Sequence, residues 1–234
     1  MLKEDLVQRS PIKIFENSIH GGLKGGEIGV IAAPNGIGKT SVLVQIALYK
    51  LLQGQRVIHV SFNKHTDHVL AWYEDLFDEF IQKKNLENAA EVRDNIVRNR
   101  VLMNFNQEGT TSLQILASLR ALIVEGGFKA DALIIDGFDF SRADEERLSK
   151  LKSFARESKF SIWYSCSVND SAFDKRRIPL VLKPFQEIAE VVIMLEQKAS
   201  HIELSVSKDR DYYPPDPLIL KLDPRTLLIL GERI

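Results

Sequence analysis

The sequence predicts an α/β fold: a mainly parallel central sheet flanked by helices, with antiparallel C-terminal strands at one edge. Three observations predict it. Short apolar runs alternate with segments of helical period through most of the chain. Those runs are apolar nearly throughout, as in strands covered on both faces. After "SIWYS" the helical segments stop, and short strand-like runs follow one another.

The elements follow in order. "GEIGVIAA" is the first strand, and residues 40–52 form the helix after it, with Val42, Leu43, Ile46 and Ala47 on one face. "RVIHVSF" is the second strand. Val69, Trp72, Tyr73, Leu76, Phe77, Phe80 and Ile81 recur at helical spacing and predict an amphipathic helix with an aromatic core stripe. The charged "QKKNLENAAEVRDNIVRNR" continues that helix or forms a second one. "VLMNF" is the third strand. Leu113, Leu116, Leu119 and Ile123 mark another helix, with Gly126-Gly127 as its stop. "ALIID", a helix over 142–158 and "SIWYS" come next. "VVIML", "IELSVS", "LILKL" and "LLIL" read as the antiparallel additions.

A chain of 234 residues suits one domain, 1–234, and it contains no repeat, low-complexity tract or linker. A net charge of -1 argues against binding nucleic acid or anionic membranes through bulk charge, although a local basic patch stays possible. The single cysteine, Cys166, rules out an internal disulfide. No apolar run reaches spanning length, and "MLKEDLVQRS" lacks a signal-peptide core. The expectation is a cytoplasmic protein with no membrane partner.

Between the first strand and its helix stands Ala33-Pro34-Asn35-Gly36-Ile37-Gly38-Lys39-Thr40-Ser41. It reads as a phosphate-binding loop with Ala33 in place of the first glycine. Backbone N–H groups from Gly36 to Ser41 can form an anion nest, and the helix adds its positive end. Pro34 to Ser41, with Ile37 among them, are therefore the nucleotide-binding candidates. Lys39 is suited to the β- and γ-phosphates, and the Thr40 hydroxyl to Mg²⁺. Asp136, ending "ADALIID", supplies the acid such a site places on Mg²⁺. Asp131 and Asp139 read as solvated or capping residues.

"GGLKGGEIGVIAAPNGIGKTSVLVQIALYKLLQGQRVIHVSF", "LIID" and "SVSKDRD" resemble the RecA-like P-loop ATPase core, closest to the DnaB-type replicative helicases and KaiC-like proteins. The similarity runs from about Ile14 to about Leu230. It implies a RecA-like P-loop fold, ATP with Mg²⁺, and a ring or filament of identical subunits with nucleotide between them. It also implies that Lys208 and Arg210 reach a neighbour's γ-phosphate; exposed strand-end charges are the plain alternative. The family places a water-activating glutamate after the second strand, where this chain has Asn63, which cannot usefully accept a proton. His65 or Asp67 could stand in from the next turn. Gly137 removes the acid that other P-loop ATPases place after the metal-binding aspartate. Near the family's polar sensor stand Ser165, Cys166 and Ser167, of which Cys166 reads best as a small buried thiol.

Lys175, Arg176 and Arg177, with Phe173, form either an exposed charged loop or a contact for single-stranded nucleic acid. His65 and His68 are too few for a metal site. "DYYPPDP" is a stiff turn that could also cover an adenine. Two functions remain open: an ATPase releasing ADP and phosphate, or a nucleotide-binding regulator with little turnover. A small-molecule kinase would need a lid, and no arginine-rich lid is present.

Overall fold

A computed structural model describes residues 7, 10–62, 66–84, 88–106, 112–168, 173–214 and 219–233. Helix α1 (Pro11–Ser18) leads into strand β1 (Ile28–Ala33), helix α2 (Lys39–Leu52) and β2 (Val57–Ser61). Helices α3 (Thr66–Lys84) and α4 (Ala89–Arg98) precede β3 (Arg100–Asn104). Then come α5 (Ser112–Arg120), β4 (Ala132–Asp136), α6 (Glu145–Ser158) and β5 (Ser161–Ser167). Strands β6 (Val191–Gln197), β7 (Ile202–Asp209), β8 (Ile219–Leu222) and β9 (Ile229–Arg233) complete the chain.

Among the described residues, nine strands form one sheet in the order β3-β2-β4-β5-β1-β6-β7-β8-β9. The pairs from β3 to β6 are parallel, and those from β6 to β9 antiparallel. "VVIML" therefore departs from expectation: β6 lies parallel to β1, Gly29 opposite Val191, and only its other edge begins the antiparallel part. The long segment between β5 and β6 gives the chain room to return to the start of β1 without a regular α-helix.

Strands β1, β2 and β4 are buried along their whole length, as a sheet covered on both faces requires. One face packs on α1 to α4 and on the inward side of β8 and β9. The other packs on α5, α6 and the segment around Ile178 to Ala189. At Gly29 the backbone passes so close to Trp163 that an added Cβ would lie 2.4 Å from its ring. Helix α6 begins later than its apolar spacing suggests, because the Asp144 side chain caps it by accepting from Arg147 N at 3.0 Å. Helix α1 carries too short a pattern to be read from the sequence, yet its Phe15 is buried against Trp163. Among the described residues no helix is long and apolar enough to cross a membrane.

Candidate functional site

Strand β1 ends at Ala33, and α2 begins at Lys39. Between them the chain turns through Gly36 (φ 83°) and Gly38 (φ 101°), left-handed values that favour glycine. A Cβ on Gly36 would meet nothing within 4 Å, and on Gly38 the Leu227 methyls at 3.6 Å and a Leu222 methyl at 3.9 Å, ordinary contact distances. Backbone angle, not lack of room, demands glycine here. The turn aims the first N–H groups of α2, unpaired within the helix, at an open cleft of about 240 Å³.

Lys39 folds back over the loop, its Nζ donating to the Ala33 and Pro34 carbonyls at 3.0 and 2.9 Å. Burial pulls its ammonium below the ordinary lysine value, and the Asp136 carboxylate opposes that shift. Thr40 Oγ1 donates to Asp136 Oδ2 at 2.8 Å. Asp136 is buried, and its other oxygen accepts from Ser165 Oγ at 2.7 Å. Ser165 Oγ also accepts from Gly137 N at 2.7 Å. The loop, Thr40, Asp136 and Ser165 thus line one cleft.

Chemically, this pairs an anion cradle with two hard oxygen donors. Among the described residues no group of three or more His, Cys, Asp or Glu could hold a metal. A hydroxyl and one carboxylate nonetheless fit Mg²⁺, which takes its remaining ligands from phosphate oxygens and water. His68 is exposed on α3, and His65 lies outside the described residues.

The serines were legible through strand alternation, which places Ser165 and Ser167 on one side of β5 and Cys166 on the other. Ser167 Oγ donates to Asn35 Oδ1 at 2.7 Å, so it touches the loop itself. Cys166 is buried, and burial pushes its thiol up to about 12. It is a packing residue. Tyr73 and Phe77 are core, as their spacing predicts, whereas Trp72 is half-buried and lines the cleft. Leu227, in the turn between β8 and β9, forms another apolar wall. Nothing in the local sequence pointed to it.

Asn63 lies outside the described residues. Asp67 is exposed in the first turn of α3. Asp136 is the one carboxylate on the cleft among the described residues. Asp139 caps Ser141 N at 3.0 Å, and Asp131 accepts from Arg56 N at 2.7 Å, so both serve the backbone.

The cations of the C-terminal region are engaged within their own chain, and Lys208 is buried rather than an exposed strand-end charge. Asp209 lies opposite Val191, and Val191 opposite Gly29, so Lys208 and Arg210 sit at the end of the sheet remote from the loop. Lys208 is 6 % exposed and donates to the Gln186 and Ala189 carbonyls. Arg210 pairs with Glu27 at 2.7 Å and also binds Asp209 and the carbonyls of Ile19 and Gly22. Both side chains are occupied within their own chain. Phe173, Lys175, Arg176 and Arg177 are all exposed, with Arg177 paired to Glu196 at 2.9 Å and Arg176 stacked on Tyr213 at 4.2 Å. Tyr212 is exposed on a tight turn closed by Asp209, and Pro215 to Pro217 lie outside the described residues.

Compared with known proteins, the chain matches no protein-family model. No curated protein matches its sequence significantly either. The functional reading therefore rests on the loop, its acid and their geometry.

Proposed function

We propose that this chain is a RecA-like P-loop protein that binds Mg²⁺–ATP in the cleft and hydrolyses it to ADP and phosphate. The observation that carries the reading is the 2.8 Å contact between Thr40 and Asp136, made at the mouth of a glycine-bearing strand-to-helix loop. Phosphates would lie on the N–H groups of residues 36–41, where Lys39 exchanges its two carbonyl partners for phosphate oxygens. Mg²⁺, when bound, supplies charge neutralisation on those oxygens. Thr40 and Asp136 would hold it, and Ser165 fixes the Asp136 carboxylate. The base would lie toward Trp72 and Leu227, the large apolar walls of the cleft. Catalysis on this plan is positioning and electrostatic stabilisation.

A second reading, a nucleotide-dependent regulator without useful turnover, is favoured by the cleft's carboxylates. Asp136 is already committed to Thr40 and Ser165, and no other described carboxylate lines the cleft to orient a water. In that reading ATP stabilises one conformation or assembly. A ring with Lys208 and Arg210 as fingers would require both side chains to leave their present partners. Nucleic-acid binding would draw on Lys175 and Phe173 before Arg176 or Arg177.

Steady-state phosphate release, beside Lys39→Ala, tests the first reading. Release that the substitution abolishes is the expected result. Nucleotide binding, read by Trp72 fluorescence, without release above the Lys39→Ala background would leave the regulator. No binding at all would remove both. Release that rises with protein concentration or with single-stranded DNA would support the assembly or nucleic-acid roles.

A further inference from the structure

The turn between β8 and β9 is tied to the first turns of α2 by buried polar contacts that the reading above does not use. Leu227 O accepts from Gln45 Nε2 at 2.8 Å and from Ser41 Oγ at 3.1 Å. Gln45 Oε1 accepts from Ile229 N at 2.9 Å. Gln45 is 2 % exposed and Ser41 fully buried. One glutamine side chain therefore takes a donor and an acceptor from the two ends of one short backbone segment. The turn is stiffened from within: Asp223 Oδ1 accepts from Arg225 N and Thr226 N at 2.8 and 3.2 Å. Leu227 N donates to Asp223 O at 2.7 Å.

Leu227 itself has a left-handed backbone, φ 55°, which a leucine adopts only when its surroundings hold it there. That conformation sets its side chain beside Gly38, on the wall of the cleft. We infer that Gln45 is a positioning residue for the nucleotide site: it clamps the β8–β9 turn so that Leu227 forms the wall against the nucleoside, while the loop alone holds the phosphates. The inference rests on the nucleotide-binding reading and adds a division of labour to it. Phosphate recognition belongs to residues 36–41. Recognition of the nucleoside depends on a segment at the far end of the chain, held by Gln45.

The experiment is calorimetric titration of the full chain with Mg²⁺–ATP and, separately, with Mg²⁺–tripolyphosphate, which lacks a nucleoside. Gln45→Leu keeps helix-forming character and side-chain bulk but removes both hydrogen bonds. It is expected to weaken ATP roughly tenfold, the loss of one good contact, and to leave tripolyphosphate within about twofold, below about a third of that free energy. Leu227→Asn tolerates the left-handed backbone but replaces the apolar wall. It should give the same split, and it keeps the test open if Gln45→Leu does not fold. Equal weakening of both ligands, or of neither, in the folded variants would overturn the inference and leave the nucleotide site standing. Wild-type protein that bound neither ligand would overturn the nucleotide reading and the inference with it.

Discussion

Ser165→Ala is a sharp test of how the site is held together. Ser165 is 2 % exposed, donates to Asp136 and accepts from Gly137 N, both at 2.7 Å. Alanine fits the same volume but removes the hydrogen bond to a buried carboxylate oxygen and the one accepted from Gly137 N. A hydrogen bond to a charged group contributes about 1.5–3 kcal/mol, and a neutral one about 0.5–1.5. Their sum gives an expected loss of about 2–4.5 kcal/mol in unfolding free energy. With a urea slope near 3 kcal/mol per molar, the midpoint should fall by about 1 M. Ser167→Ala is the control: its exposed hydroxyl donates to the Asn35 side chain, so it should cost no more than about 0.5 kcal/mol. Urea denaturation of the three proteins, followed by far-ultraviolet circular dichroism, makes the comparison. Magnesium-nucleotide binding should weaken in Ser165→Ala as well, since Asp136 loses one of its two described anchors. Equal midpoints for the two variants would refute the reasoning, because Ser165 would then be no more than a surface-like hydroxyl.

Two further outcomes are expected. His59 is wholly buried against Tyr73, its Nδ1 3.0 Å from the phenol oxygen, and burial pulls its pKa down to about 4, with Arg100 assisting and Asp136 opposing. Its folded value lies below the unfolded one, so its contribution is present above about pH 6.5 and lost as the pH falls toward 4, up to about 3 kcal/mol. Stability curves of wild type and His59→Phe should converge across that window, and parallel curves would contradict the buried neutral imidazole. Gly29→Ala should destabilise by about 1–3 kcal/mol through overpacking, since its methyl would meet the Trp163 ring. A thermal melt showing no loss would mean the strand yields at that point.

Much of the fold was written in residue patterns. Uniformly apolar runs such as "ALIID" and "GVIAA" could only be covered strands, and their alternation with helical periods fixed the parallel part. The sheet order was not accessible, because a strand's apolar character says nothing about its neighbour; "VVIML" looks the same whether it lies parallel or antiparallel. Of the site, the residues joined by local geometry were readable: Gly36, Gly38, Lys39 and Thr40 are adjacent in sequence, and a loop of that spacing has few other uses. Asp136 was readable because it ends the apolar run "ADALIID". Gln45 and Leu227 were not, since their contact spans 182 residues and depends on how β8 and β9 wrap over α2. The partners of the cations were unreadable for a related reason: charge in a sequence does not reveal that Lys208 donates to two backbone carbonyls or that Arg210 pairs with Glu27.

Gly137 has a consequence for any attempt to build the proposed hydrolysis into this cleft. Its backbone is left-handed, φ 83°, and a Cβ there would stand 3.4 Å from Phe62. A glutamate grafted at that position would have to twist the chain immediately beside Asp136, displacing the acid it was meant to assist. On the proposed function, a water-activating group would therefore have to come from the second strand's side of the cleft, leaving the backbone beside Asp136 undisturbed.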